Sequence, residues 1–378
     1  MPKKSAELTK SMRPSATVVA YCAFAATGIG VELPGTLLSS LLARWSLSDE
    51  QAGLLFFVFF VGSSCGAVLS RGVLSRSIVR GCAAITAGAC MLAVASRGAA
   101  FAAMALLGLG LGLTMTSISL LQSRRQAAAR TAEMARLNLT WALGASIGPA
   151  ILLRGVAHWP VAAVLYATAA AFAVFAALAM AILPGVAAPA PSFVSPGASL
   201  RFGSIPLLLL AMVPLATGVE SSAGGWLAVY SKRDGLPLNQ TIGTVTCFWA
   251  GILLSRMLQS HREMAVRSQD VALRFAPWLM TAGLLVLLVG RGGAWMPVGA
   301  ALLGFGVGPI YPLLVALVLR HGEAGNIVFL AGGVGASSLP LLTGLVSGRT
   351  GSLAIGLAVP LAASLGMGMI GLLWRDVR

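Results

Sequence analysis

The sequence predicts an all-α membrane protein, with twelve transmembrane helices arranged as two parallel six-helix repeats. Three observations predict it. Of 378 residues, 57% are hydrophobic and 10% charged, with a mean hydropathy of +0.89; a soluble domain carries about 25% charged residues. Apolar runs of about twenty residues recur along the chain, each long enough to cross a hydrocarbon core roughly 30 Å thick. Short motifs of the first half return in the second, in the same order.

Six spans are expected near 15–43, 51–74, 78–97, 99–123, 134–154 and 160–183. Six more are expected near 204–231, 238–260, 271–291, 294–320, 324–348 and 351–374. These runs do not alternate every second residue, which argues against barrel strands. The 45 glycines suit helices that approach closely in lipid. The basic N-terminal stretch resembles the start of a signal peptide. The apolar pattern, however, continues past Ala23-Phe24-Ala25, so a retained helix is expected.

The stretch 184–203 is rich in Pro, Ala, Ser and Gly and reads as a linker between an N-terminal half, 1–183, and a C-terminal half, 204–378. Four pairs of motifs relate the halves. Thr27-Gly28 matches Thr217-Gly218, and "GAVLSR" ending at Arg71 matches "GILLSR" ending at Arg256. The ladder Gly108, Gly110, Gly112 matches Gly304, Gly306, Gly308, and "GASIGP" (144–149) matches "GASSLP" (335–340). The offsets are 190, 185, 196 and 191. Parallel repeats of this kind place a solute near the midplane between the halves.

With the N-terminus placed in the cytoplasm, 19 Lys and Arg fall in inside segments and 7 in outside ones. This bias puts both termini and the 184–203 linker in the cytoplasm of a multi-pass plasma (inner) membrane protein. The net charge of +15 is therefore spread over loops and span ends. No soluble domain is long enough to offer a basic face to nucleic acid.

Of eleven acidic residues, only Glu32 and Glu220 fall well within spans. A charge at the bilayer centre costs roughly 2.5–3.5 kcal/mol on insertion scales, so such residues usually face a cavity. Each either serves a solute or a proton, or bonds a neighbouring helix and locks the fold. Pro34, two residues beyond Glu32, cannot donate a backbone hydrogen bond and is expected to bend the helix there. Glu220 shares a helical face with Thr217 and Gly224. Trp226 lies about 120° round the helix and either reaches a solute or marks the membrane interface. Sugar rings stack on aromatics and bond carboxylates, amides and hydroxyls. Candidates for such contacts are Trp141, Trp249, Tyr311, Asn138, Asn326 and Ser337, the two asparagines lying near cytoplasmic ends.

These residues carry a family resemblance. The architecture resembles the major facilitator superfamily. The pattern Gly218, Glu220, Ser222, Gly224, Gly225, Trp226, Tyr230 is similar to the seventh-helix motif of its fucose–proton symporter-like branch. "FWAGILLSR" (248–256), "GFGVGPIYPLL" (304–314) and "LNLTWALGASIGP" (137–149) resemble the eighth, tenth and fifth helices of that branch. The resemblance implies a hexose or deoxyhexose as solute and gives Glu32 the place of the first-helix aspartate. There are departures. The usual Asp-Arg loop pair is replaced by Ser70-Arg71 and Ser255-Arg256, and the place of the helix-four glutamate falls at about Thr114.

Other chemistries find little support. His158, His261 and His321 sit at loops, against a histidine relay or zinc catalysis. "GSSCG" (62–66) and "GASIG" (144–148) lie within apolar spans rather than at the strand-to-helix turn of a nucleophile elbow. The five cysteines lie within spans without metal spacing. No enzyme activity, cofactor or metal is expected. The sequence thus reads as a monomeric carrier in the lipid bilayer, moving a small polyhydroxylated solute, a monosaccharide, by alternating access. Proton coupling through Glu32 or Glu220 is expected. The alternatives are an uncoupled sugar facilitator, or a drug or metabolite exporter of the same fold. A receptor or an intramembrane enzyme would come from a different class.

Overall fold

The computed structural model describes residues 14–125, 130–183, 185–186, 207–260, 269–290, 293–320 and 325–373. Its helices are α1 (Pro14–Trp45), α2 (Asp49–Val68), α3 (Leu74–Val94), α4 (Ala99–Arg125), α5 (Arg130–His158) and α6 (Val161–Ile182). Then follow α7 (Leu207–Arg233), α8 (Leu238–Ser260), α9 (Gln269–Val289), α10 (Trp295–Arg320) and α11 (Gly325–Thr350). The last span, α12 (Leu353–Leu373), is one turn, Leu353–Gly356, followed by Ala358–Leu373. All twelve are long and apolar enough to cross a membrane.

The spans expected at 51–74 and 78–97 are shifted. The chain leaves α2 at Val68 and re-enters helix at Leu74, turning through Gly72 at φ +75, a conformation glycine adopts without a Cβ clash. At the other end α2 starts on a capping box, in which Ser48 and Gln51 satisfy each other's backbone N–H groups. Most of the 184–203 linker lies outside the described residues; Val186, near its start, accepts a 2.7 Å hydrogen bond from the Leu74 N–H.

Burial is inverted relative to a water-soluble protein. The most apolar of the twelve helices, α6, is also the least buried. Side chains such as Met180, Val174 and Phe275 stand exposed, as lipid allows and water does not.

The helix pairings repeat. α1 packs on α5, α2 on α4, and α3 on α4 and α6. In the second half α7 packs on α11, α8 on α10, and α9 on α10 and α12. The two glycine ladders explain how. Side chains at Gly108 and Gly112 would strike the α2 backbone at Phe59 and Ser63, and one at Gly110 would strike α3 at Gly81 and Ile85. Likewise Gly304 abuts Phe248 and Gly308 abuts Ser255, both on α8, while Gly306 abuts Ala276 and Met280 on α9. Only glycine permits backbones this close. Between these two sets, α1 packs on α7, α2 on α11 and α5 on α8. The site lies along these last contacts.

Candidate solute-binding site

Glu32 is 2% exposed in the middle of α1. Its helix runs through Pro34, which is inside α1, and its own carbonyl accepts the Thr36 hydroxyl at 2.7 Å. The side chain is walled by three helices. Its Cβ and Cγ lie 3.4 Å from where a side chain at Gly148 of α5 would begin. Its Oε1 lies 3.8 Å from the same point at Gly224 of α7, and Cζ2 of Trp249, on α8, is 3.0 Å from that point. Gly224 is therefore glycine because the Trp249 ring occupies the space of a side chain. Oε2 of Glu32 has no protein partner, a costly state for a buried polar atom.

Trp249 and Trp141, from α8 and α5, meet edge to face with 5.5 Å between ring centroids. Both are buried, and neither indole N–H makes a hydrogen bond of good geometry, that of Trp249 standing within reach of the Glu32 carboxylate. Phe248 braces Trp249 from within α8 at 5.0 Å. Tryptophan N–H groups normally find an acceptor when buried. Three of the buried, unpartnered polar atoms among the described residues thus belong to Glu32, Trp141 and Trp249.

Arg256 completes the cluster; in the sequence it stands out only as the end of the repeated "GILLSR". The repeat hid it. Its counterpart Arg71 follows the end of α2, whereas α8 runs on to Ser260 and keeps Arg256 inside the bundle. Its guanidinium lies 5.8 Å from the Trp141 ring, donates to the Gly308 carbonyl at 3.2 Å and reaches Glu220 Oε1 at 3.4 Å. The Arg256 and Glu220 side chains are only 12% and 18% exposed, so the attraction is weakly screened. Glu220 is held in the membrane by this cation.

The remaining candidates are placed as follows. Tyr311 of α10 is half-buried, within electrostatic range of Glu220, with its hydroxyl 3.5 Å from where a side chain at Gly332 would begin. Trp226 is 0% exposed, packs edge to face on Phe56 and donates its N–H to the Pro340 carbonyl at 3.1 Å. Its ring and its polar atom are both committed to joining α7, α2 and α11. Tyr230 of the same motif donates to the Leu287 carbonyl. Ser337 bonds the backbone of its own helix at Gly333 and Val334. Asn138 is exposed, one turn before Trp141 on α5. The side chain of Asn326 lies outside the described residues.

A second contact closes one end of the bundle, where α1 ends and α2 begins. Arg233 of α7 forks onto both carboxylate oxygens of Asp49 at 2.7 Å, and Ser347 of α11 donates to the same carboxylate at 2.5 Å. Lys232 reaches Ser39 of α1 at 2.8 Å. Below it, Gly53 meets the α11 backbone at Leu341 and Gly344, and Gly35 meets α7 at Gly224 and Gly225.

Twelve membrane-length helices in two sets of matching pairings, with a polar cluster buried between the sets, define a membrane protein of the major facilitator fold. Solved structures agree. The peptide transporter POT in complex with sulfate superposes with a TM-score of 0.76 at 13% identity, over 99% of this chain and 97% of that one. A bacterial homologue of the human lysosomal transporter Spinster, inward-facing and unoccupied, gives 0.71 at 14% identity, covering 97% and 100%. A mutant of the nucleoside transporter NupG gives 0.76 at 11%, covering 95% and 98%. No family model and no curated protein matches the sequence.

Proposed function

We propose that this chain is a secondary transporter, not an enzyme, that moves a small polyhydroxylated solute, a monosaccharide, by alternating access. The observation that carries this reading is the set of buried, unpartnered polar atoms, Glu32 Oε2 and the Nε1 atoms of Trp141 and Trp249. Two indole N–H donors and a carboxylate, beside aromatic faces, complement a ring that has both hydroxyl edges and apolar faces. Glu32 and Trp141 come from the first six helices, and Trp249, Glu220 and Arg256 from the second. A solute bonded to both sets would draw them together, which suits alternating access about a central site. The seventh-helix motif supports placement near the fucose–proton symporters.

Proton coupling is assigned to Glu32 rather than Glu220. Glu220 has a fixed cation in Arg256 and so a reason to remain charged. Glu32 has no such counter-ion within the cluster. One observation favours an uncoupled facilitator as second reading: at the helix-four position stands Thr114, fully buried and beside Cys82. Both termini are placed in the cytoplasm of the plasma membrane, and the carrier works as a monomer.

The test is uptake into proteoliposomes of the purified protein, with a panel of aldohexoses and 6-deoxyhexoses, with and without a pH gradient. Saturable uptake of one sugar, driven uphill by inward acidity, is expected. Saturable uptake without uphill accumulation selects the facilitator. No binding or uptake of any member of the panel would sink the sugar reading.

A further inference from the structure

The foot of α5 carries a cluster that the transport site does not use. Glu133, in the first turn of α5, is 2% exposed, and Tyr21 of α1 donates to its Oε1 at 2.8 Å. Arg136 approaches the other oxygen at 3.7 Å, an ion contact longer than a hydrogen bond, and its side chain is 67% exposed. Together with Thr17, Leu139 and Thr140 these residues line a cavity of about 480 Å³ that is wide open to the surface. The Thr140 hydroxyl bonds the carbonyl of Arg136 on its own helix.

The cavity continues an apolar stripe. Leu143, Ile147 and Ile151 stand 49%, 46% and 51% exposed, and their spacing of four places them on one face of α5 above Thr140 and Arg136. The opposite faces of α5 pack on α1, at Gly28 and Gly144, and on α8, at Trp249. The stripe is therefore the face α5 turns to acyl chains. Read down α5, the order is an apolar stripe, a hydroxyl at Thr140, a cation at Arg136 and a deep carboxylate at Glu133. The last two are three residues apart, a rise of about 4.5 Å.

We propose that this cavity binds the headgroup of a zwitterionic phospholipid bearing a primary ammonium, a phosphatidylethanolamine. Its groups follow in the same order: acyl chain, glycerol, phosphate and, after two carbons, ammonium. Arg136 takes the phosphate as a charge-assisted pair. Glu133 takes the ammonium, whose N–H donors a carboxylate accepts. The lining carries one positive and one negative side chain, so an anionic headgroup would meet the Glu133 charge uncompensated. A choline headgroup has no N–H to give it.

The full-length protein in neutral detergent is titrated with dioleoyl phosphatidylethanolamine, phosphatidylglycerol or phosphatidylcholine, and bound lipid is read by native mass spectrometry. Phosphatidylethanolamine is expected to bind about tenfold tighter than either of the others, with Arg136→Ala and Glu133→Gln each removing about that factor. Thr140→Leu fills the cavity without touching the ion cluster and keeps the test decisive if Glu133→Gln misfolds; it too should lose the preference. Equal binding of the three lipids, a preference for phosphatidylglycerol, or unchanged binding in Arg136→Ala and Thr140→Leu overturns the assignment.

Discussion

Trp141 and Trp249 touch edge to face at 5.5 Å, one from each set of six helices, and neither N–H makes a hydrogen bond of good geometry. Their rings already pack, so what they have left to offer is the two donors. Trp141→Phe and Trp249→Phe keep an aromatic ring and delete the N–H. Each is expected to leave the melting temperature of the solute-free protein unchanged or higher, since an unsatisfied buried donor is removed. Sugar affinity should fall by about 5- to 10-fold. Calorimetry and sugar titration on one preparation check both. Undiminished affinity in both variants would remove the indoles from the site.

Glu220 and Arg256 form a partly buried pair at 3.4 Å. Glu220→Ala strands the guanidinium and is expected to cost about 1–3 kcal/mol of stability. Arg256→Leu made on top of it should recover part of that loss. A double-mutant cycle on thermal stability should give a coupling of about 0.5–3 kcal/mol. Additive losses would mean that the two side chains act separately.

Glu32 is assigned the proton. Glu32→Gln mimics the protonated acid, and it should abolish uphill sugar accumulation while sparing exchange of labelled for unlabelled sugar. Accumulation at the wild-type level in reconstituted vesicles would take the coupling role away from Glu32.

Asp49 is the shared acceptor of Arg233 and Ser347 at one end of the bundle. Arg233 is 43% exposed, so solvent screens the pair and about 1 kcal/mol is at stake. Asp49→Asn should therefore raise the population opened at that end about fivefold. Thiol labelling of a cysteine placed at Ser39, beside Lys232, should speed up accordingly. An unchanged labelling rate would show that glycine packing at Gly53 and Gly344, not charge, holds this end shut.

Orientation is tested by thiol labelling within the 184–203 linker of intact cells. Reaction only after the membrane is permeabilised is expected if the linker is cytoplasmic. Labelling from outside would reverse the assignment of both termini.

The sequence by itself determined the solvent of this protein and the number of its spans. Length and hydropathy suffice for that, because a helix must be apolar for about twenty residues to cross a bilayer. It also singled out Glu32 and Glu220, since a carboxylate in an apolar run stands out with no partner in view. The glycine ladders were legible for the same reason: a repeat is a local pattern, and its close contacts follow from the missing side chains. Partners across the bundle were not legible. The span expected at 238–260 already carries α8 past Arg256, but nothing local says that this arginine meets Glu220, or that α2 stops before Arg71. Trp226 and Trp249 look alike in sequence. Packing gives the first a well-formed hydrogen bond to Pro340 and leaves the second facing the Glu32 carboxylate without one. Glu133 stands just before the span expected at 134–154, and nothing near it in the chain says that Tyr21 of α1 donates to it. Which polar atoms are satisfied is decided by residues a hundred positions away in the chain, so tertiary structure alone separates the buried groups that are bonded from those left to meet a solute.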